Sequence, residues 1–310
     1  MTSRKSATAV ATSCYRLIED NILSLEYDNC PPFMIRPPAP GLHLKHIDTW
    51  HIFILGSGVA GIAAVSHLLW PPYASTITLV AAVVTILGMQ RDIYRRRHDD
   101  DEAAERHQQA VVYLHQALDL RNALPPYTGW SASPELCADL LDLITEHKPQ
   151  TIVECGGGAS SVVVGYALER NRNGRLISLD HMEDYAEVTR RRIGRHKLSD
   201  WVEIRVAPLT DITLEAGTRQ WYDRAVLDDL STIDMLIIDG PPEQTQSQAR
   251  YPALPVLADR LSDTALVVLD DAYRDDEQAI LDRWQAHNPE WTLEMRESPH
   301  GTAILHRNSA

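Results

Sequence analysis

The chain has 310 residues, length for about two average domains, and its 29 Lys and Arg against 43 Asp and Glu give a formal charge of −14. That acidic balance excludes the usual nucleic-acid binder, which carries a basic surface for phosphates. A hydrophobic fraction of 44% and a charged fraction of 23% are globular values and exclude wholesale disorder. The four cysteines, Cys14, Cys30, Cys137 and Cys155, form no CxxC pair. Neither a disulfide framework nor a structural zinc site is expected, and a reducing compartment fits best.

Residues 1–48 are rich in Pro, Ser and Thr and read as a flexible cytoplasmic segment with one short helix near 15–25. His43 and His46 lack Cys or carboxylate company and read as surface histidines. From Thr49 to Gln90 there is no Asp, Glu, Lys or Arg. Two apolar runs, 52–70 and 73–89, are split there by Pro71 and Pro72. A run of about 20 apolar residues crosses the hydrocarbon core, Trp50 and Trp70 bracket the first run as an interfacial belt, and the proline pair forces a reversal. The pattern predicts a transmembrane helical hairpin over 49–90. Arg91, Arg95, Arg96, Arg97 and Arg106 follow it, Arg36 and Lys45 precede it, and the loop at 71–75 has no basic residue. Positive-inside bias then gives a multi-pass protein of the plasma or inner membrane with both termini cytoplasmic. A hairpin buried in a soluble domain is the bland alternative, and a cleaved signal peptide would begin earlier. GSGVAG at 56–61 matches the dinucleotide fingerprint, but no acidic residue follows before Asp92, so Gly56, Ala60 and Ala64 read as a helix-packing stripe. Residues 91–126 read as a linker helix ended by Pro125 and Pro126, its basic run suited to anionic head groups.

From 127 to 310 short β-branched runs alternate with helical stretches. Strands are predicted at 151–155, 175–180, 202–207, 234–239 and 265–270, and helices at 134–147, 160–171, 183–197, 247–261 and 275–287. Runs 291–297 and 301–307 read as a closing antiparallel hairpin. The fold class is α/β: a doubly wound, Rossmann-like, mostly parallel seven-stranded sheet with an antiparallel last strand. Ligands of such sheets bind at the carboxyl ends of the strands, and those ends are acidic here. Glu154 precedes CGGGASS, Asp180 ends the second strand, Asp239-Gly240-Pro241-Pro242 ends the fourth and Asp270-Asp271 the fifth. Glycines 156–158 permit close backbone approach, the next helix offers free N–H groups, and Asp180 is placed to accept from ribose hydroxyls. Singly, any of these aspartates could cap a helix.

The runs VECGGGAS, RLISLDHMEDYAEVTRRRI, WVEIRVAPL, IDMLIIDGPP and LVVLDDAYR follow one another in an order that resembles class I S-adenosylmethionine-dependent methyltransferases, in the catechol-type O-methyltransferase branch. The resemblance covers about 125–310. It implies that Glu154, Gly156 and Gly158 line the methionine part of S-adenosylmethionine, with Ser160 a further cofactor-binding residue. It places Asp180 on the ribose, His181 beside the adenosine, and Ala207 and Pro208 near the adenine. Asp239, Asp270 and Asp271 fall on the positions that hold Mg²⁺ in metal-dependent relatives, and an oxygen-only donor set suits that ion; they are also the expected catalytic residues. Two departures stand out. Asp270-Asp271 replaces an Asp-Asn pair, and no lysine follows Lys197, where catechol-type enzymes use a lysine base near the fourth strand. Deprotonation would fall to the metal or to Glu243, Tyr251 or Tyr273. The loop at 240–252 and the segment 121–133 are expected to wall the acceptor pocket; Tyr127 and Trp130 in that segment read as rings packed under the sheet, with stacking on a ligand ring the alternative.

The expected function is methyl transfer to a hydroxyl of a small-molecule, glycan or lipid-linked acceptor. Membrane lipids are an expected partner, nucleic acid is not, and a homodimer is left open. The alternatives are an aminopropyltransferase of the spermidine-synthase kind, whose Asp-Ser loop is replaced here by DGPP, and a non-catalytic cofactor-binding scaffold.

Overall fold

The computed structural model describes residues 49–69, 71–127, 129, 131–215 and 217–307, with side chains from residue 58 onward. The readings made for residues 1–48, for the Trp50 ring and for Trp70 and Trp130 lie outside the described residues. The chain divides into two compact units, 1–91 and 92–310.

The first unit contains helix α1 (Thr49–Leu69), a single turn at Pro71–Tyr73 and the start of helix α2 (Ala74–Ala117). The expected second arm of the hairpin and the linker helix are thus one continuous helix. Nothing between them breaks it. The polar stretch after Arg91 contains no proline, and the Glu102 carboxylate lies 3.2 Å from His98 and 3.9 Å from Arg106, each one turn away. Among the described residues, one helix, 71–117, is long and apolar enough to cross a membrane. Leu79, Val80, Val83, Val84, Ile86 and Leu87 on it are exposed.

The second unit is built on a seven-stranded sheet of order β3-β2-β1-β6-β7-β9-β8. The strands are β1 (Thr151–Cys155), β2 (Arg175–Asp180), β3 (Val202–Val206), β6 (Ile233–Ile238), β7 (Leu261–Asp270), β8 (Trp291–Arg296) and β9 (Thr302–Arg307). The first five are mutually parallel, and β9 runs antiparallel to both β7 and β8. Helices α3 (Pro134–His147), α4 (Ala159–Asn171), α5 (Glu183–His196) and α7 (Asp275–His287) surround it. Successive strand residues point to opposite faces. Ile152 and Leu176 pack with Leu136 and Leu140 of α3, while Val153 and Ile177 pack with Leu254 and Trp284 on the other side. Both faces are therefore buried, which is why these strands are continuously apolar. Helix α3 starts sharply because Ser133 Oγ accepts from Leu136 N at 3.1 Å and Pro134 takes the first helical position.

Two segments depart from the sequence reading. The helix expected over 247–261 shrinks to α6 (Ala253–Leu257), preceded by a reversal at Gln248, whose φ is +52°. Pro252 and Pro255 are tolerated only at a helix start, so they leave no room for a longer one. Residues 209–222, assigned no structure from the sequence, form a separate antiparallel hairpin, β4 (Leu209–Leu214) with β5 (Gly217–Tyr222). Its inner end buries Trp221 and Tyr222.

The fully buried Leu236 on central strand β6 should be costly to truncate: Leu236→Ala is expected to lower stability by about 2–5 kcal/mol. Denaturant unfolding checks this, and a loss below about 0.5 kcal/mol, the surface-residue scale, would contradict the packing described.

Candidate active site

The chain leaves β1 and passes to α4 through Gly156–Gly158. Gly156 N donates to Leu179 O at 2.9 Å, and Asp239 N donates to Cys155 O at 2.9 Å, so this turn is stitched to the strands on both sides. Gly156 has φ +89°, and a Cβ there would stand 2.9 Å from Asp239 O. At Gly157 a Cβ would meet Ser178 Oγ at 2.3 Å. Only glycine fits at either position. Gly158 N donates to Ser161 Oγ at 3.0 Å.

Glu154 shares a face of the sheet with Ser178 and is fully buried. Its Oε2 accepts from Ser161 Oγ at 2.5 Å, while Oε1 is buried without a partner among the described residues. Burial raises its pKa, opposed by the hydroxyls of Ser161, the buried Ser160 and Ser178. Asp180 ends β2, and its Oδ1 accepts from Met182 N at 2.9 Å. Burial raises its pKa as well. His181 Nδ1 lies 3.6 Å from that carboxylate, and its ring meets Tyr222 edge-on at 6.4 Å. Ala207 N donates to Asp180 O at 2.7 Å and is buried; the exposed Pro208 follows and accepts from Asp223 N at 3.0 Å. All eight residues expected to hold the cofactor thus lie on or just beyond the carboxyl ends of β1, β2 and β3. An unpartnered buried carboxylate oxygen beside a glycine cradle fits a nucleoside cofactor with a cationic amino-acid end.

At the tips of β6 and β7 the three expected metal ligands converge. Asp239, Asp270 and Asp271 each offer an oxygen, all within 4.8 Å of one another. Asp271 adopts a left-handed conformation, φ +58°, which turns the chain back over the strand end. Sequence reasoning missed the group that binds them together. Arg250 is 4% exposed. Its Nη2 donates to Asp271 Oδ2 at 2.8 Å and to Asp239 Oδ1 at 3.3 Å, and its Nη1 donates to Asp270 O at 2.9 Å. Its Nε lies 3.7 Å from the buried Glu277, and Arg274 reaches Asp271 Oδ2 at 2.9 Å. Burial and the neighbouring Asp270 raise the Asp239 pKa well above normal, with Arg250 opposing. Burial and Asp271 push Asp270 up to about 6. The donor set suits a hard cation, although two of its three carboxylates already hold guanidinium groups.

A pocket of about 360 Å³ opens above this trio. The two expected walls are both present: Pro242, Glu243 and Gln244 from one, Tyr127, Gly129, Ser131 and Ser133 from the other. His107 of α2 and His300 complete the lining, and neither was singled out from the sequence. Of the three bases considered, Glu243 lines the pocket beside Arg274, at 3.6 Å. Tyr251 is a core residue with the Arg283 guanidinium 3.7 Å over its ring, and the exposed Tyr273 packs against Gly301. Glu154 and Asp180 do not line this pocket. They stand at the adjoining strand tips, with the Gly156 backbone against that of Asp239.

Residues 153–272 match the family model described as a methyltransferase domain. No curated protein matches the chain. Among solved structures it is similar to a methyltransferase from Geobacter sulfurreducens, at 16% identity over 66% of this chain and 90% of that one, with a TM-score of 0.43. An SAH-bound methyltransferase from Podospora anserina shares 11% identity over 66% and 96%, TM-score 0.48. An O-methyltransferase from Bacillus cereus in complex with SAH shares 17% over 65% and 90%, TM-score 0.44. Residues 153–272 are thus similar to a methyltransferase domain.

Proposed function

We propose that the protein transfers a methyl group from S-adenosylmethionine to a hydroxyl oxygen of a small polar acceptor, of the free or lipid-linked glycan kind, while anchored to a membrane. The single observation that carries this reading is the junction at β1 and β6. There the chain reverses its winding direction, and the glycine-cradled tips of β1 to β3 adjoin a polar pocket floored by Asp239, Asp270 and Asp271. In this reading Glu154, Gly156, Gly158 and Ser160 hold the methionine end. Asp180 and His181 hold the ribose and adenosine, and Ala207 and Pro208 border the adenine. The bound cofactor supplies an electrophilic methyl group on a sulfonium. What the chain supplies is orientation of an oxygen in line with it, the larger part of such a rate enhancement. Ser131, Ser133, Gln244 and His300 give the pocket hydrogen-bonding capacity for a polyhydroxyl acceptor.

Asp239, Asp270 and Asp271 are the residues that would hold Mg²⁺, which would supply Lewis-acid activation of the acceptor oxygen. Arg250 and Arg274 would then share those carboxylates with the ion. For membrane anchoring, the support is the exposed apolar surface at 79–87 of the 71–117 helix, followed within the same helix by Arg91 and Arg95–Arg97. The hairpin form, with both termini cytoplasmic, extends this to α1. A homodimer has no such support and is left out of the proposal.

Labelled S-adenosylmethionine offered with catechol, free hexoses and a polyprenyl-phosphate-linked hexose tests the reading; label is expected on a sugar, and chelation is expected to lower the rate. Transfer only to catechol would overturn the acceptor class, and no transfer to any oxygen would overturn the reaction. Asp180→Ala should weaken cofactor binding by calorimetry. Asp239→Ala should leave that binding intact and cut turnover by about 100-fold or more, and equal losses of binding in both would contradict the assigned roles. Alkaline carbonate should leave the protein in the membrane pellet, whereas release would remove the anchor from the proposal.

A further inference from the structure

An acceptor hydroxyl has to lose its proton as the oxygen gains a methyl group, and no lysine follows Lys197 to take it. Within the pocket most candidate acceptors are engaged. Asp239 and Asp271 hold Arg250, and Glu243 faces Arg274. His107 is different. It lies on the part of α2 that belongs to the second unit, three residues before Ala110 and seven before Leu114, both buried, and Leu114 packs with Leu136 and Leu140 of α3. It therefore reaches the pocket rim from outside the sheet. Its Nδ1 stands 3.4 Å from Oε1 of Glu135, in the first turn of α3, whose Ser133 and Pro134 also line the pocket. The Glu135 side chain is 8% exposed, and its Oε2 is buried with no partner among the described residues. A carboxylate buried behind one ring nitrogen fixes the tautomer, frees the other nitrogen to accept a proton, and stabilises the imidazolium that results.

We propose that His107 is the catalytic base of this transferase and that Glu135 is its positioning residue. The inference rests on the methyl-transfer reading above. As the oxygen–carbon bond forms and the carbon–sulfur bond breaks with its electron pair kept by sulfur, the oxygen's proton passes to Nε2 of His107. The positive charge lost from the sulfonium reappears on the imidazole, where Glu135 faces it. A 3.4 Å separation is long for the poised dyad, as is usual before substrate binds. The competing role is structural, an ion pair tying α2 to α3.

The test uses the full-length protein and His107→Ala, with circular dichroism to establish folding. In ¹⁵N-histidine spectra, the resonances lost in His107→Gln identify the ring; the tautomer with its proton on Nδ1, facing Glu135, is expected, and Glu135→Ala should relax that preference. A proton on Nε2 would overturn the proposal. With the acceptor giving the fastest transfer in the panel above, His107→Ala should lower kcat about 100-fold or more. KM should stay within about twofold, and added imidazole should restore part of the rate, which a structural ion pair would not allow. Unchanged kcat in His107→Ala, with cofactor binding intact in the wild type, would overturn the dyad alone. A wild type giving no heat with S-adenosylmethionine would overturn the transferase reading and the dyad with it.

Discussion

Four carboxylates, Asp239, Asp270, Asp271 and Glu277, crowd the edge formed by β6, β7 and the start of α7, and the Arg250 guanidinium is set among them. Unpaired, that much negative charge would not stay folded away from water. Burial first, and neighbouring carboxylates second, lift the pKa values of Asp239, Asp270 and Glu277. Breaking such a network by removing one partner typically costs about 3–5 kcal/mol, so Arg250 secures the floor of the pocket as well as shaping its charge. The five donors of a planar guanidinium suit this task better than an ammonium, because they reach two carboxylates and the Asp270 carbonyl at once. Glu277 at the start of α7 extends the network to a helix that otherwise packs through Ile280, Leu281 and Trp284.

The sheet decides where that charge collects. Strands β2 and β3 lie on one side of β1, and β6 and β7 on the other. The loops leaving β1 and β6 therefore part in opposite directions, and the gap between them is the natural ligand crevice. Gly156 and Asp239 face each other across it, close enough that a methyl group on the glycine would strike backbone.

Much of this was readable in the amino acids. The parallel strands announce themselves as unbroken apolar runs because both faces are covered, and the acidic strand ends can be read off one after another. What escaped has a common physical origin. Arg250 sits in a stretch that looks helical until Pro252 and Pro255 are weighed, and only the reversal at Gln248 turns its side chain under the strand tips. His107 is more than one hundred residues from Asp239 in the chain, and nothing in a polar helical sequence says which turn meets a pocket. The β4–β5 hairpin is faint in the sequence because its strands alternate weakly and are half exposed. In the N-terminal region, the absence of charge marked the apolar segment clearly, but composition alone did not reveal that one helix continues from Ala74 to Ala117.

That hairpin has a further consequence. Its last residue, Tyr222, lies directly beneath Gly240, where a Cβ would come within 2.4 Å of the phenol oxygen. The Asp239–Pro242 loop therefore lies against a two-stranded hairpin outside the main sheet. A side chain at position 240 would have to displace that buried phenol, so the loop that carries Asp239 and the hairpin can change only in concert.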